Sequence, residues 1–167
     1  GSSLFGAQLA AMLGLPYAFA SHFAPGALAE ALPIYRERFQ PQNRPDAQNG
    51  PHFMLAVNVI AADTDAGAQY LQSSQQLAFA RLRTGKPGKL PKPTHDLTEI
   101  TPPLQRMVGE VLRISAVGSP ATVRKQLAAL IERYQPDELI LTGQIHDAEA
   151  RRTSFRLAAE VLDDMKV

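Results

Sequence analysis

A chain of 167 residues with 45% hydrophobic and 20% charged side chains has the make-up of a folded globular protein, not of a disordered or collagen-like one. Seventeen basic against sixteen acidic residues leave a formal charge of +1, so no global field steers the chain to nucleic acid or to an anionic membrane. The absence of cysteine excludes disulfides, thiolate nucleophiles and thiolate metal ligands, and the apolar opening GSSLFGAQLAAMLGLPYAFA, without a basic leader and broken at Pro16, argues against a signal peptide and a membrane span.

Ser2 or Ser3 caps a first helix that runs to a stop at Gly14, with Leu9, Met12 and Leu13 sharing one face. The same serines and the exposed amides beside them form a nest that suits a phosphate; a plain cap, or a remnant of cloning, explains Gly1-Ser2-Ser3 equally well at this level. A helix that begins so early points to a strand-to-helix turn with chain missing upstream. Leu15 to His22 has the length of a buried strand and ends in polar residues. Pro25-Gly26 opens a second helix over 27–39, with Leu28, Leu32, Tyr35 and Phe39 near one face and Pro33 as a kink. Residues 40–51 read as a loop. Phe53–Ala61 is the strongest strand, apolar except at Asn58, as expected where helices cover both faces of a parallel sheet.

Residues 62–65 cap a long helix over 66–83, and Lys86–Pro103 is a proline- and lysine-bearing excursion of low structural content. A short helix over 104–113 follows. The segment 114–120 introduces a helix over 121–134, with Ser119 as cap and Pro120 in the first position. Glu138–Thr142 reads as a compact buried strand, and Asp147 caps a closing helix over 148–165. Strands separated by helices mean βα repetition with parallel pairing, here as a single domain over 1–167 with one variable excursion at about 86–103.

The chemical inventory is thin. His22, His52, His95 and His146 form no ligand pair at helical spacing, so no metal site is expected. His22 and His146 each follow a strand, at the rim where α/β folds place their sites; a hydrogen-bonding or base role and a plain structural role both remain open. Asp63 with Asp65 and Asp163 with Asp164 read as a helix cap and a solvated end. Arg151 and Arg152, one turn into the last helix, either pair with an anion or simply face solvent. Met12, Phe19, Met54 and Phe155 read as core.

Four segments in order carry a resemblance: GSSLFGAQLAAMLGLPYAFASHFAP at 1–25, the strand into Asn58 with Ala62-Asp63-Thr64, VGSPATVRKQL at 117–127, and ELILTGQIHDAEARRTSF at 138–155. Together they resemble the bacterial-luciferase-like flavin monooxygenases, and only the C-terminal half of such a chain. The resemblance implies an α/β fold that is part of a TIM (β/α)8 barrel, with Tyr17–Ser21, Phe53–Ala61 and Glu138–Thr142 as its sixth to eighth strands. It implies reduced FMN supplied by a separate flavin reductase, O2 and a small organic substrate, aldehyde-like or similar, in a cytoplasmic homo-oligomer. It places Gly1, Ser2 and Ser3 in the flavin phosphate region, with Arg152 as a further candidate contact, and names no catalytic residue. A half barrel exposes sheet edges that a full barrel closes, so a chain of this length alone is expected to be inactive. The alternatives are a non-catalytic α/β module that self-associates and a piece of a deazaflavin-dependent oxidoreductase of the same fold.

Overall fold

The computed structural model describes residues 1–42 and 49–165, so the loop expected over 40–51 lies partly outside the described residues. Strand β2 (Phe53–Ala61) is the axis, and all three other strands pair with it in parallel. β1 (Tyr17–Phe19) lies against Phe53 to Leu55, β3 (Ser115–Gly118) against Asn58 to Ala61, and β4 (Glu138–Thr142) against Met54 to Asn58. The Tyr17 N–H donates to the His52 carbonyl and the Asn58 N–H to that of Ile114, two even-numbered positions on one edge of β2; the Asp137 N–H donates to Phe53 on the other edge. β1 and β3 therefore follow one another along one edge, and β4 holds the opposite one.

Alternation of side chains gives the sheet two unlike faces. Tyr17, Phe19, Phe53, Leu55, Val57, Val59, Ala61 and Ala116 point into the main core. That core is filled from α1 (Leu4–Met12), α2 (Leu28–Glu37), α5 (Pro120–Tyr134) and α6 (Ala148–Met165) by residues such as Ala7, Leu32, Tyr35, Leu127 and Val161. Each fully buried Leu, Val or Phe here stabilises the fold by about 1.5–3 kcal/mol. The Tyr35 hydroxyl donates to the Leu15 carbonyl at 2.8 Å and accepts from the His52 N–H at 2.9 Å, tying α2 to the entries of β1 and β2. On the second face, Ile60 packs with Ala68 and Leu71 of α3 (Asp65–Arg83) and with Ile145. α4 (Pro102–Val111) then packs on α3 through Phe79, Ala80, Val108 and Leu112. Residues 84–101 between them contain neither helix nor strand.

This arrangement corrects the expected partial (β/α)8 barrel with three strands. The sheet has four strands and is open: β4 has no partner on its outer edge among the described residues. A barrel keeps its helices outside and fills its interior with strand side chains; here α3 lies across the second face and leaves no interior to enclose. β3 was missed because Ser-Ala-Val-Gly is short and carries one branched residue, so only the stretch of β2 edge beyond β1 makes it a strand. β4 is not the buried strand expected; Glu138 and Ile140 are exposed because they lie on the uncovered part of the second face of an edge strand. Met12, read as core, is exposed together with Leu9 and Leu13, while Ala7 and Ala11 are buried: small side chains let α1 sit close to α2.

Local signals place the helix starts. Ser3 Oγ accepts from the Gly6 N–H at 3.3 Å, Thr64 Oγ1 from Gly67 at 3.1 Å and Asp147 Oδ1 from Ala150 at 2.8 Å. Among the described residues no helix is long and apolar enough to cross a membrane.

Candidate functional site

Asn58, the one polar side chain of the central strand, lies under α3 and is 1% exposed. Its Oδ1 accepts from Gln75 Nε2 at 2.9 Å and from Thr142 Oγ1 at 3.2 Å, and its Nδ2 donates to the His22 carbonyl at 2.8 Å. One amide thus joins α3, the end of β4 and the segment after β1, all at the C-terminal ends of parallel strands, where open α/β sheets bind ligands. Beside it, Ser21 is fully buried and donates to the Ala56 carbonyl at 2.5 Å. Three buried polar atoms find no hydrogen-bond partner among the described residues: His22 Nδ1, Ser74 Oγ and Gln75 Oε1. Burial holds the His22 imidazole below its ordinary pKa, which keeps it neutral at pH 7.

Two cavities are lined by sequence neighbours of these residues, Phe23 among them, and by none of the cluster itself. The first, of about 330 Å³, brings Ser2 together with Arg83 of α3 and Arg113, with Pro25 and Gly26 and with Glu110. The second, of about 220 Å³, is lined by Phe79, Leu82, Pro87 and Gln144 and contains no charged side chain. Phe23, 53% exposed, lines both; the first cavity is cationic and the second is apolar with the Gln144 amide in its wall. Arg113 donates to the Pro25 carbonyl at 2.6 Å and is ion-paired with Glu110, whereas Arg83 makes no ion pair among the described residues.

The residues singled out in the sequence fall as follows. The Gly1 amine donates to the Ala18 carbonyl at 2.6 Å and the Gly1 carbonyl accepts from Ala20, so the chain start is held alongside β1. This pairing sets Ser2 at the cavity wall, while the Ser3 hydroxyl is engaged as the cap of α1. Arg152 is exposed, ion-paired with Glu149, and lines neither cavity. His146 is exposed, His52 lies 3.4 Å from Glu138, and His95 packs against Tyr70. Arg83 and Arg113 were missed. Arg83 sits in the last turn of a helix, where a cation needs no further explanation, and only the packing of α4 against α3 brings Arg113 near it.

Asp65 locks the start of α3 to the start of α5, since its carboxylate accepts from the Ser119 N–H at 2.7 Å and from Thr122 Oγ1 at 3.1 Å. The Ser119 N–H, then the Thr122 and Ser119 hydroxyls, hold the Asp65 carboxyl below the usual range. A depressed folded pKa contributes stability that is present above the unfolded value, about 4, and is lost as pH falls through the folded value. Acid titration of the native chain against Asp65→Asn is therefore expected to show a shallower fall in stability below about pH 4 in the variant. Parallel curves would mean that the carboxylate does not act as a lock.

The family model for luciferase-like monooxygenases matches residues 1–135. A luciferase-like monooxygenase of Escherichia coli K12 is 43% identical over 166 residues, 99% of this chain and 49% of the relative. The uncharacterised protein YvbT of Bacillus subtilis is 38% identical over 162 residues, 96% of this chain and 47% of its own length. The crystal structure of apo-MsnO8 superposes with a TM-score of 0.78 at 31% identity, over 98% of this chain and 49% of that one. The chain spans about half the length of the curated relatives it matches. These matches correct two expectations. The likeness is not confined to a C-terminal half: it runs along nearly the whole chain, with residues 1–135 matched by the family model. The expected inactive C-terminal piece is corrected likewise to a chain that matches a family of monooxygenases along nearly all of its length.

Proposed function

The chain belongs to the luciferase-like monooxygenase family, and from that premise we propose that it serves FMN-dependent oxidation of a small organic substrate by O2. The observation that supports this is a cationic cavity and an apolar cavity that share Phe23, which together suit a molecule with a phosphate at one end and a flat ring at the other. In this reading Ser2, Arg83 and Arg113 hold the phosphate. Gly1, paired to β1, and Ser3, capping α1, fix the Ser2 backbone, and Arg152 is an outlying cation. Phe23, Phe79 and Leu82 offer the ring an apolar bed that keeps water away. Reduced flavin, delivered by a separate reductase, supplies the electrons for oxygen activation; the protein's part is binding, orientation and exclusion of solvent. The working state is a cytoplasmic homo-oligomer.

Flavin titration tests the phosphate assignment. Charge-assisted hydrogen bonds to an anion are worth about 1.5–3 kcal/mol, so Arg83→Ala is expected to weaken FMN binding about ten- to a hundredfold and to leave riboflavin, which lacks the phosphate, unaffected. Equal affinity for FMN and riboflavin in the native chain, or no change in the variant, would overturn it.

A further inference from the structure

A third cavity, of about 390 Å³, opens between α3 and α4 and shares no lining residue with the two described above. Its size is that of a small-molecule site. Three of its lining residues are glutamines and none is charged. Gln72 and Gln76 stand one turn apart on α3, while Gln105 lies on α4, on the face that Gly109 and Leu112 continue along the same wall. The neighbouring Ser73 and Gln75 are engaged within the fold, whereas the side-chain amides of Gln72, Gln76 and Gln105 make no hydrogen bond among the described residues. Val108 and Leu112 give the wall its apolar part and are anchored against Phe79 and Ala80 of α3.

Two further features mark the cavity as built. Leu97 and Ile100 complete its wall from a segment without helix or strand, yet that segment is tied to α3 on both sides of Leu97. The Thr94 N–H donates to Ser73 Oγ at 2.8 Å, and Arg81 grips the Glu99 carboxylate through two hydrogen bonds of 3.0 and 2.9 Å. Gly109, inside α4, has open space where a Cβ would stand. Glycine weakens a helix interior relative to alanine; no neighbour crowds this one, and what its missing side chain leaves is room at the wall.

The lining selects by chemistry. A charged ligand would leave water and meet no counter-charge. A carboxamide matches a glutamine group for group, donating an N–H to its oxygen and accepting from its NH2 in one reciprocal pair. We propose that this cavity is a binding site, independent of the flavin reading, for a small uncharged molecule that bears a carboxamide on an apolar body. The amide meets the glutamines, and the body lies against Leu97, Ile100, Val108 and Leu112.

Benzamide, benzoate and acetophenone have nearly one shape and differ in this chemistry, so NMR titration of the native chain with each tests the site. Benzamide is expected to bind about tenfold tighter than acetophenone, which can only accept, and benzoate to bind more weakly still. Methyl resonances of Leu97, Ile100, Val108 and Leu112 should move with benzamide, and saturating FMN should not displace it. Gln76→Leu should shrink the gap between benzamide and acetophenone. Gly109→Leu, which adds bulk at the wall and favours the helix, should abolish benzamide binding without lowering the urea midpoint. No binding of benzamide, equal affinity for benzamide and benzoate, displacement by FMN, or undiminished binding in Gly109→Leu would each overturn the proposal. The Gly109→Leu comparison decides even where Gln76→Leu fails to fold.

Discussion

Replacing Gly118 by alanine is expected to destabilise the chain by about 2–5 kcal/mol, the sum of backbone strain and overpacking. Gly118 ends β3 with φ at +152°, and a Cβ there would stand 2.6 Å from Asp65 Oδ1 and 2.6 Å from Thr122 Cγ2. Neither neighbour can yield cheaply, because Asp65 and Thr122 are hydrogen-bonded to each other and Asp65 also holds the Ser119 N–H. The substitution therefore sets the N-terminus of α3 against that of α5. Urea unfolding should show a lower midpoint at an unchanged slope. A loss below about 1 kcal/mol would mean that the Asp65 contact gives way without consequence.

Asn58→Leu is the second large effect, at about 3 kcal/mol or more. The branching at Cγ is kept with two bulkier methyl groups, but Gln75 Nε2 and Thr142 Oγ1 lose their acceptor and the His22 carbonyl its donor. Gln75 is fully buried, so its amide bears most of the desolvation cost; Thr142 and His22 are half-buried and recover part of theirs from water. Hydrogen exchange should locate the damage in α3, which rests on the sheet through this contact and the Ile60–Ala68 cluster. A variant as stable as the native chain would show that apolar contact alone seats the helix.

Much of the fold was legible in the residues. The bounds of β2 and β4, and those of α6, follow from apolar runs and from Asp147 as a cap, as do the starts of α1 and α3 at Ser3 and Thr64. The site was legible in smaller part. Ser2 was named, and its cavity is real, but its cationic partners lie far along the chain in Arg83 and Arg113. Gln75 reads as one of several polar residues on a long helix; nothing local says that it faces Asn58 rather than solvent.

The sequence by itself determined where elements begin and end, because caps, prolines and apolar periodicity act over a few residues. It also determined the family, through four segments that keep their order. Only the tertiary structure decided that Ser115–Gly118 is a strand, that α3 covers the second face of the sheet, and that the sheet stays open. Those outcomes depend on which edge of β2 is left unpaired and which face is left bare. Such vacancies arise only when distant segments pack, and neither composition nor spacing records them.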